Sequence, residues 1–176
     1  MNNFKSYILI GFDFRLLDSC PKTVDASVWL QAKNDYLHLI DQGYIENAVQ
    51  LLDVSAQTVE KNIHNGMMGV AIAVSKHDLK IMESMFGGVF IEEKISPSYL
   101  LQRGWLFEGF DVADANGYFS VFGINHKDFE RINKEKLFSV EEDAISIVHL
   151  ANAGCPSHAP FLVFAVFSYK KQSCHM

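Results

Sequence analysis

The sequence predicts an α+β fold, a mainly antiparallel sheet with an N-terminal helical segment and a late helix packed against it, and three observations carry that expectation. Apolar residues make up 49% of the chain and aromatic residues 12%, including 14 Phe, against 20% charged, a composition that builds a core and favours pleated surfaces over disorder. The stretch Arg103–Asn125 (RGWLFEGFDVADANGYFSVFGIN) joins two apolar runs at Asn116-Gly117, a pair that tolerates the positive φ of a tight hairpin. Apolar residues elsewhere recur at helical spacing in windows bounded by Gly, Pro or capping residues. At 176 residues the simplest organisation is a single domain over 1–176 with the helical segment, 25–65, inside it.

Taken in order, 5–17 is rich in aromatic and β-branched residues and reads as a strand, with Gly11 suited to a bulge. Val28, Trp29, Ala32, Tyr36, Leu39 and Ile40 then define a helix over 25–42 that stops at Gly43. A second helix, 44–53, carries Ile45, Ala48, Val49 and Leu52 on one face, and a third, 55–65, starts at the good N-cap Ser55. The uninterrupted apolar run at 67–75 reads as a strand, and 87–95 as another, with an amphipathic segment of undecided type, 77–85, between them. Pro97 breaks the chain before the strand pair at 105–124. A helix over 139–153 is expected to be capped by Ser139, with Glu141, Glu142 and Asp143 complementing its dipole, and 161–169 is the final strand.

Charge narrows the function classes. A net charge of -6 and a pI near 5.6 oppose general affinity for phosphate backbones, where lysine and arginine supply most of the attraction, and suit a basic protein partner instead. Cys20, Cys155 and Cys174 are odd in number and widely spaced, so they suggest neither a disulfide framework nor a metal clip, and a reducing cytoplasm is expected. The apolar run at 7–10 is too short for an export signal, and no window approaches a membrane span.

Catalytic and cofactor patterns are missing from the spacing. The seven histidines contain no HxxxH pair, and the glycines form neither GxGxxG nor GxxxxGK[ST], so no metal or cofactor is expected. Asp111, Asp114, Asn116 and Gly117 invite a calcium loop, but placing Asn116-Gly117 at its fifth and sixth positions puts Val112 and Gly123 where carboxylates are needed. Two rival readings stay open. Residues 48–63 have the outline of a helix-turn-helix, with Ala48, Leu51, Leu52, Val54, Ser55, Val59 and Ile63 in suitable places, although Glu46, Asp53 and Glu60 against Lys61 give the wrong sign for DNA. A Cys/His enzyme could use Cys155 and His158, which nothing in the sequence brings together.

The acidic windows are more suggestive. Between Lys33 and Lys61 lie Asp35, Asp41, Glu46, Asp53 and Glu60 with no lysine or arginine, and 137–169 is a second window without a base. Such a surface steers and anchors a cationic partner. The residues expected at an interface are Asp41, Glu46, Asp53 and Glu60, then Asp111 and Asp114, although aspartates beside a hairpin often only satisfy nearby backbone donors.

Two landmarks, Gly104–Ser120 (GWLFEGFDVADANGYFS) and His158–Phe167 (HAPFLVFAVF), resemble bacterial immunity proteins, the cytoplasmic antitoxins of contact-dependent growth inhibition and related polymorphic toxin systems. In that comparison a GW-x-F-x-G[YF]DV-x-D run precedes a short strand, and an HAPF-x-V-[FY] strand follows a late helix. Where the family pattern continues with Ser-Gly-Leu and Asn-Cys-Gly, this chain has Ser120-Val121-Phe122-Gly123-Ile124-Asn125. The resemblance implies buried strands, no catalytic activity, and one cognate toxin, commonly a nuclease, bound at or near its active site.

Overall fold

Two uninterrupted apolar runs, Met67–Ser75 and Phe161–Tyr169, occupy the centre of the sheet. The computed structural model of the chain describes residues 4–16, 56–57, 59–61, 63, 67–86, 95–115, 121, 132–133 and 137–169. Within them the strands are β1 (Tyr7–Leu16), β2 (Met67–Ser75), β3 (Leu106–Asp114) and β4 (Phe161–Tyr169). The helices are α1 (Lys76–Phe86), α2 (Ser98–Gln102) and α3 (Glu141–Gly154), and residues 56–57 and 59–61 are also helical. The fold is α+β, and the sheet runs β1-β2-β4-β3 with every pairing antiparallel.

Every side chain from Met68 to Val74 and from Phe161 to Ser168 is buried. Both faces of the central strands are therefore covered, the condition under which a strand reads as a continuous apolar run instead of an alternation. The expected bulge at Gly11 is present: the β1–β2 register shifts between Leu9 and Gly11. A second shift, between Phe107 and Gly109, marks β3, where Gly109 has φ +148° and a Cβ there would meet Phe138 O at 2.9 Å. Phe110 and Phe138 exchange backbone hydrogen bonds of 2.8 Å in each direction along that side of β3.

The sheet is curled. Three strand spacings of about 4.8 Å separate β1 from β3 along the hydrogen-bonding direction, yet the rings of Tyr7 and Phe110 lie 5.9 Å apart and those of Phe4 and Phe107 only 4.9 Å. The two flanking strands fold toward each other around these aromatics, with Phe167 of β4 beneath them at 5.2 Å from Phe4. Edge-on and tilted contacts of this kind add to the area buried.

On the same face of the sheet as Phe167, toward the Gly69–Tyr169 pair, the 56–63 segment presses on β2, with Ala56, Val59 and Ile63 buried. A Cβ at Gly69 would meet Val59 Cγ1 at 2.4 Å, so the absence of a side chain there sets the approach. Short α2 ends in a Schellman motif: Gly104 N donates to Leu101 O, Trp105 N donates to Leu100 O, and Gly104 takes φ +87°. That turn delivers Trp105 into the core.

Several expectations are met and others corrected. Strands 67–75 and 161–169 have the expected bounds, 5–17 is found as Tyr7–Leu16, and the first half of 105–124 as Leu106–Asp114. The undecided segment 77–85 is helix α1, and α2 stands where only a break was expected. The late helix starts one residue on: Val140, with extended φ −126° and ψ 134°, occupies the N-cap and makes no side-chain cap hydrogen bond, so Ser139 is not the cap. Helices 25–42 and 44–53, residues 87–94, and the Asn116-Gly117 joint lie outside the described residues. Ile95 O accepts the Leu9 amide at 3.0 Å.

Candidate functional site

At the end of the sheet where β1 begins, β2 stops and β4 starts, a cleft of about 430 Å³ opens between α1 and α3. Ligand sites are commonly concavities of this size with apolar walls and a few convergent polar groups. Ile81 of α1, Ile145 and Val148 of α3, and Phe161 and Leu162 of β4 form the walls. Tyr7, Asp78, Glu141, His77, His149 and Asn152 supply the polar groups. Among the described residues no lysine or arginine lines it.

Asp78 is placed by the strand-to-helix junction. Ser75 ends β2 and caps α1, its Oγ accepting the Asp78 amide at 3.0 Å. Burial pushes the Asp78 carboxyl above its ordinary range, the polar influence of the Val163 backbone, Ser75 and His77 pulls it down, and nearby Glu141 pushes it up again.

Glu141 is held by the first strand. Tyr7, 1% exposed, donates its hydroxyl to Glu141 Oε1 at 2.9 Å. Burial holds the Tyr7 phenol far above its usual range, and the carboxylates of Glu141, Asp78 and Glu142 push the same way, so Tyr7 is a permanent donor. The other end of α3 is tied by Asn152, whose Oδ1 accepts the Phe161 amide at 2.9 Å. The helix is thus fixed over the cleft at both ends, packed inward through Ala144 and Ala151.

The surface of α3 is unusual. Val140 at its N-cap, Ile145 at the mouth of the cleft and Leu150 on the opposite flank are 47%, 44% and 67% exposed, the first turn carries Glu141, Glu142 and Asp143, and the helix has no lysine or arginine. Exposed apolar residues gathered on one helix beside like charges differ from the scattered singles normal on any protein.

Of the interface residues expected from the sequence, Glu60, Asp111 and Asp114 fall away from α3 and the cleft. Glu60 is 14% exposed and accepts both Arg103 Nε, at 2.7 Å, and Trp105 Nε1, at 2.9 Å, with a second Arg103 contact through Nη2 to Oε2. Asp111 and Asp114 are 0% and 2% exposed; Asp111 Oδ1 accepts the Val112 amide at 2.7 Å, and Asp114 Oδ2 lies 3.9 Å from His158 Nδ1. Asp41, Glu46 and Asp53 lie outside the described residues, as does most of the 48–63 outline. Cys155 is half-buried at the end of α3, and His158 is turned toward Asp114.

Tyr7 and Asp78 had no local signature as site residues, because the groups that meet at the cleft come singly from β1, α1 and α3. The one sequence signal available was Ser75-Lys76-His77-Asp78, a capping-box type pattern that starts a helix and sets an acid in its first turn.

No protein-family model, curated protein or solved structure matches the chain. Among the described residues there is no group of three or more histidine, cysteine, aspartate or glutamate side chains arranged to hold a metal ion, and no helix long and apolar enough to cross a membrane.

Proposed function

We propose that the chain is a bacterial immunity protein, a non-catalytic cytoplasmic antitoxin that binds one cognate protein toxin with a basic surface, foremost a nuclease, and neutralises it stoichiometrically. The observation that carries this reading is the surface of α3, which exposes Val140, Ile145 and Leu150 around its circumference and carries Glu141, Glu142 and Asp143 in its first turn with no lysine or arginine. Protein interfaces combine an apolar centre with a charged rim, and complementary charge speeds encounter and selects the partner. Nucleases that grip phosphate backbones present basic clefts, which an acidic surface of this kind complements. Asp41, Glu46 and Asp53 of the earlier acidic window extend the same preference for a cationic partner.

The Gly104–Ser120 and His158–Phe167 landmarks support the same reading, since both run into buried strands that position α3 and the cleft. The deciding experiment mixes the purified chain with the toxin domain encoded beside it and reads both complex formation and toxin activity. A stoichiometric complex with loss of toxin activity is expected. No complex, or a complex that leaves the toxin fully active, rules the proposal out.

A further inference from the structure

Resting on that reading, we infer that the cleft between α1 and α3 receives an arginine side chain of the partner protein. Asp78 and Glu141 face the cleft from different helices and are electrostatic neighbours, and among the described residues no lysine or arginine lines it. Two carboxylates with no lysine or arginine beside them, only the imidazoles of His77 and His149, leave a region of negative potential that a cation fills. The rest of the lining selects which cation. Ile81, Ile145, Val148 and Leu162 offer apolar wall to a methylene stem, and Asn152 adds a polar group to the lining toward the other end of α3.

A guanidinium matches this arrangement better than an ammonium. It carries donors in a planar fork that can address two carboxylates at once, and it gives up its hydration more readily than a compact ammonium does. Glu141 is pre-positioned for the role, because the Tyr7 hydroxyl holds Oε1 at 2.9 Å while Oε2 remains to accept. The Asp78 backbone is fixed by Ser75 Oγ at the start of α1, which sets the carboxylate at the cleft before the cation arrives. Ile145 at the mouth of the cleft is 44% exposed, so an arginine seated there adjoins an exposed apolar side chain of α3. Buried arginines flanked by apolar contacts are a recurrent form of interface hot spot.

The test uses the chain alone with Nα-acetyl-arginine methylamide as probe and the neutral citrulline counterpart as control, followed by NMR through the His77 and His149 imidazoles, the Asn152 side-chain amide and the Val163 amide. The arginine probe should give saturable shifts at these groups and the citrulline probe none. Glu141→Gln, which keeps an acceptor for Tyr7, should weaken the probe at least tenfold. Ile145→Trp, at a half-exposed wall position, should block it sterically without touching a charge. Equal binding of the citrulline probe, no saturable shift, or unaltered probe binding in both folded variants would each overturn the inference. The two proposals fail separately: a chain that binds the probe but no toxin loses the antitoxin reading, whereas a toxin complex indifferent to Glu141→Gln and Ile145→Trp loses the arginine cleft.

Discussion

The Tyr7 hydroxyl donates to Glu141 Oε1 at 2.9 Å across a sequence separation of 134, fastening the first strand to the last helix. Tyr7→Phe removes the donor while keeping the ring in contact with Phe4 and Phe110. A hydrogen bond to a carboxylate at a partly exposed site is worth about 1 to 2 kcal/mol, and urea unfolding should show that loss. The alkaline limb carries a second signature. The folded-state phenol is raised above the ordinary value of 10.0, so above that pH the unfolded chain releases its proton while the folded chain keeps it. Stability from Tyr7 is fully present below pH 10.0 and is lost as pH rises beyond it; Tyr7→Phe should therefore fall less steeply with pH there.

Asp78 gives the same sign on the acid side. Its carboxyl is raised above 3.8 chiefly by burial, so the folded state holds the proton more tightly than the unfolded chain. The stability this supplies is complete below 3.8 and is lost as pH rises through the folded-state value. Asp78→Asn removes the titrating carboxyl and has no such dependence. Relative to the parent, the variant should do worse near pH ~4 than near pH ~7, where the parent pays the desolvation cost of an ionised Asp78; equal differences at the two values would contradict the assignment.

Glu60 separates structural acids from binding acids. It accepts from Arg103 and from Trp105 Nε1, joining the 56–63 segment to the start of β3. Glu60→Ala leaves the buried indole and the guanidinium stacked over Tyr99 without that acceptor, and thermal unfolding should register a loss of about 2 kcal/mol. Affinity for the toxin, measured where the variant is folded, should change little; a tenfold loss of affinity at unchanged stability would return Glu60 to the interface.

Gly69 tests the packing of the same segment from the other side. Gly69→Ala places a methyl 2.4 Å from Val59 Cγ1 and 3.2 Å from the Trp105 ring, and overpacking of this kind costs about 1 to 3 kcal/mol. Gly154→Ala is the control: nothing lies within 4 Å of its Cβ, so removing glycine's unfolded-state freedom at the end of α3 should be neutral or gain up to about 1 kcal/mol.

These contrasts mark what local sequence carries. The bounds of β2 and β4 were readable because strands covered on both faces need no alternation, and MGVAIAV and FLVFAVF are apolar throughout. The Gly11 bulge was readable because glycine inside a strand has few other uses. Helix α2 was not, since its five residues are too short to show a period, and the start of α3 was misplaced by one residue because Ser139 is the better capping residue by propensity but Val140 holds the cap geometry. The acids divided on tertiary grounds alone. Asp111 and Asp114 look solvent-facing beside an Asn-Gly joint but are enclosed where β3 runs along β4, while Asp78 gains its place at the cleft because α1 packs where β4 begins. No spacing encodes a partner 85 residues away, roughly the separation at issue here.

The surface of α3 makes the last prediction, and its two kinds of residue should fail differently. Leu150 is 67% exposed, so Leu150→Ser should leave stability within about 0.5 kcal/mol. If Leu150 lies at the centre of the toxin interface, the same change should raise the dissociation rate at least tenfold with little effect on association. Glu142 is exposed in the first turn of α3, and Glu142→Lys should cost about 0.3 to 1 kcal/mol of stability through the helix dipole. Its binding signature should be a slower association whose deficit shrinks as salt is added, because a rim charge acts by steering and is screened beyond about 10 Å at 0.1 M salt. Stopped-flow binding at two salt concentrations separates the outcomes. Unchanged rates for both variants would move the interface off α3 and leave the acidic window around Asp41, Glu46 and Asp53 as the surface to test next.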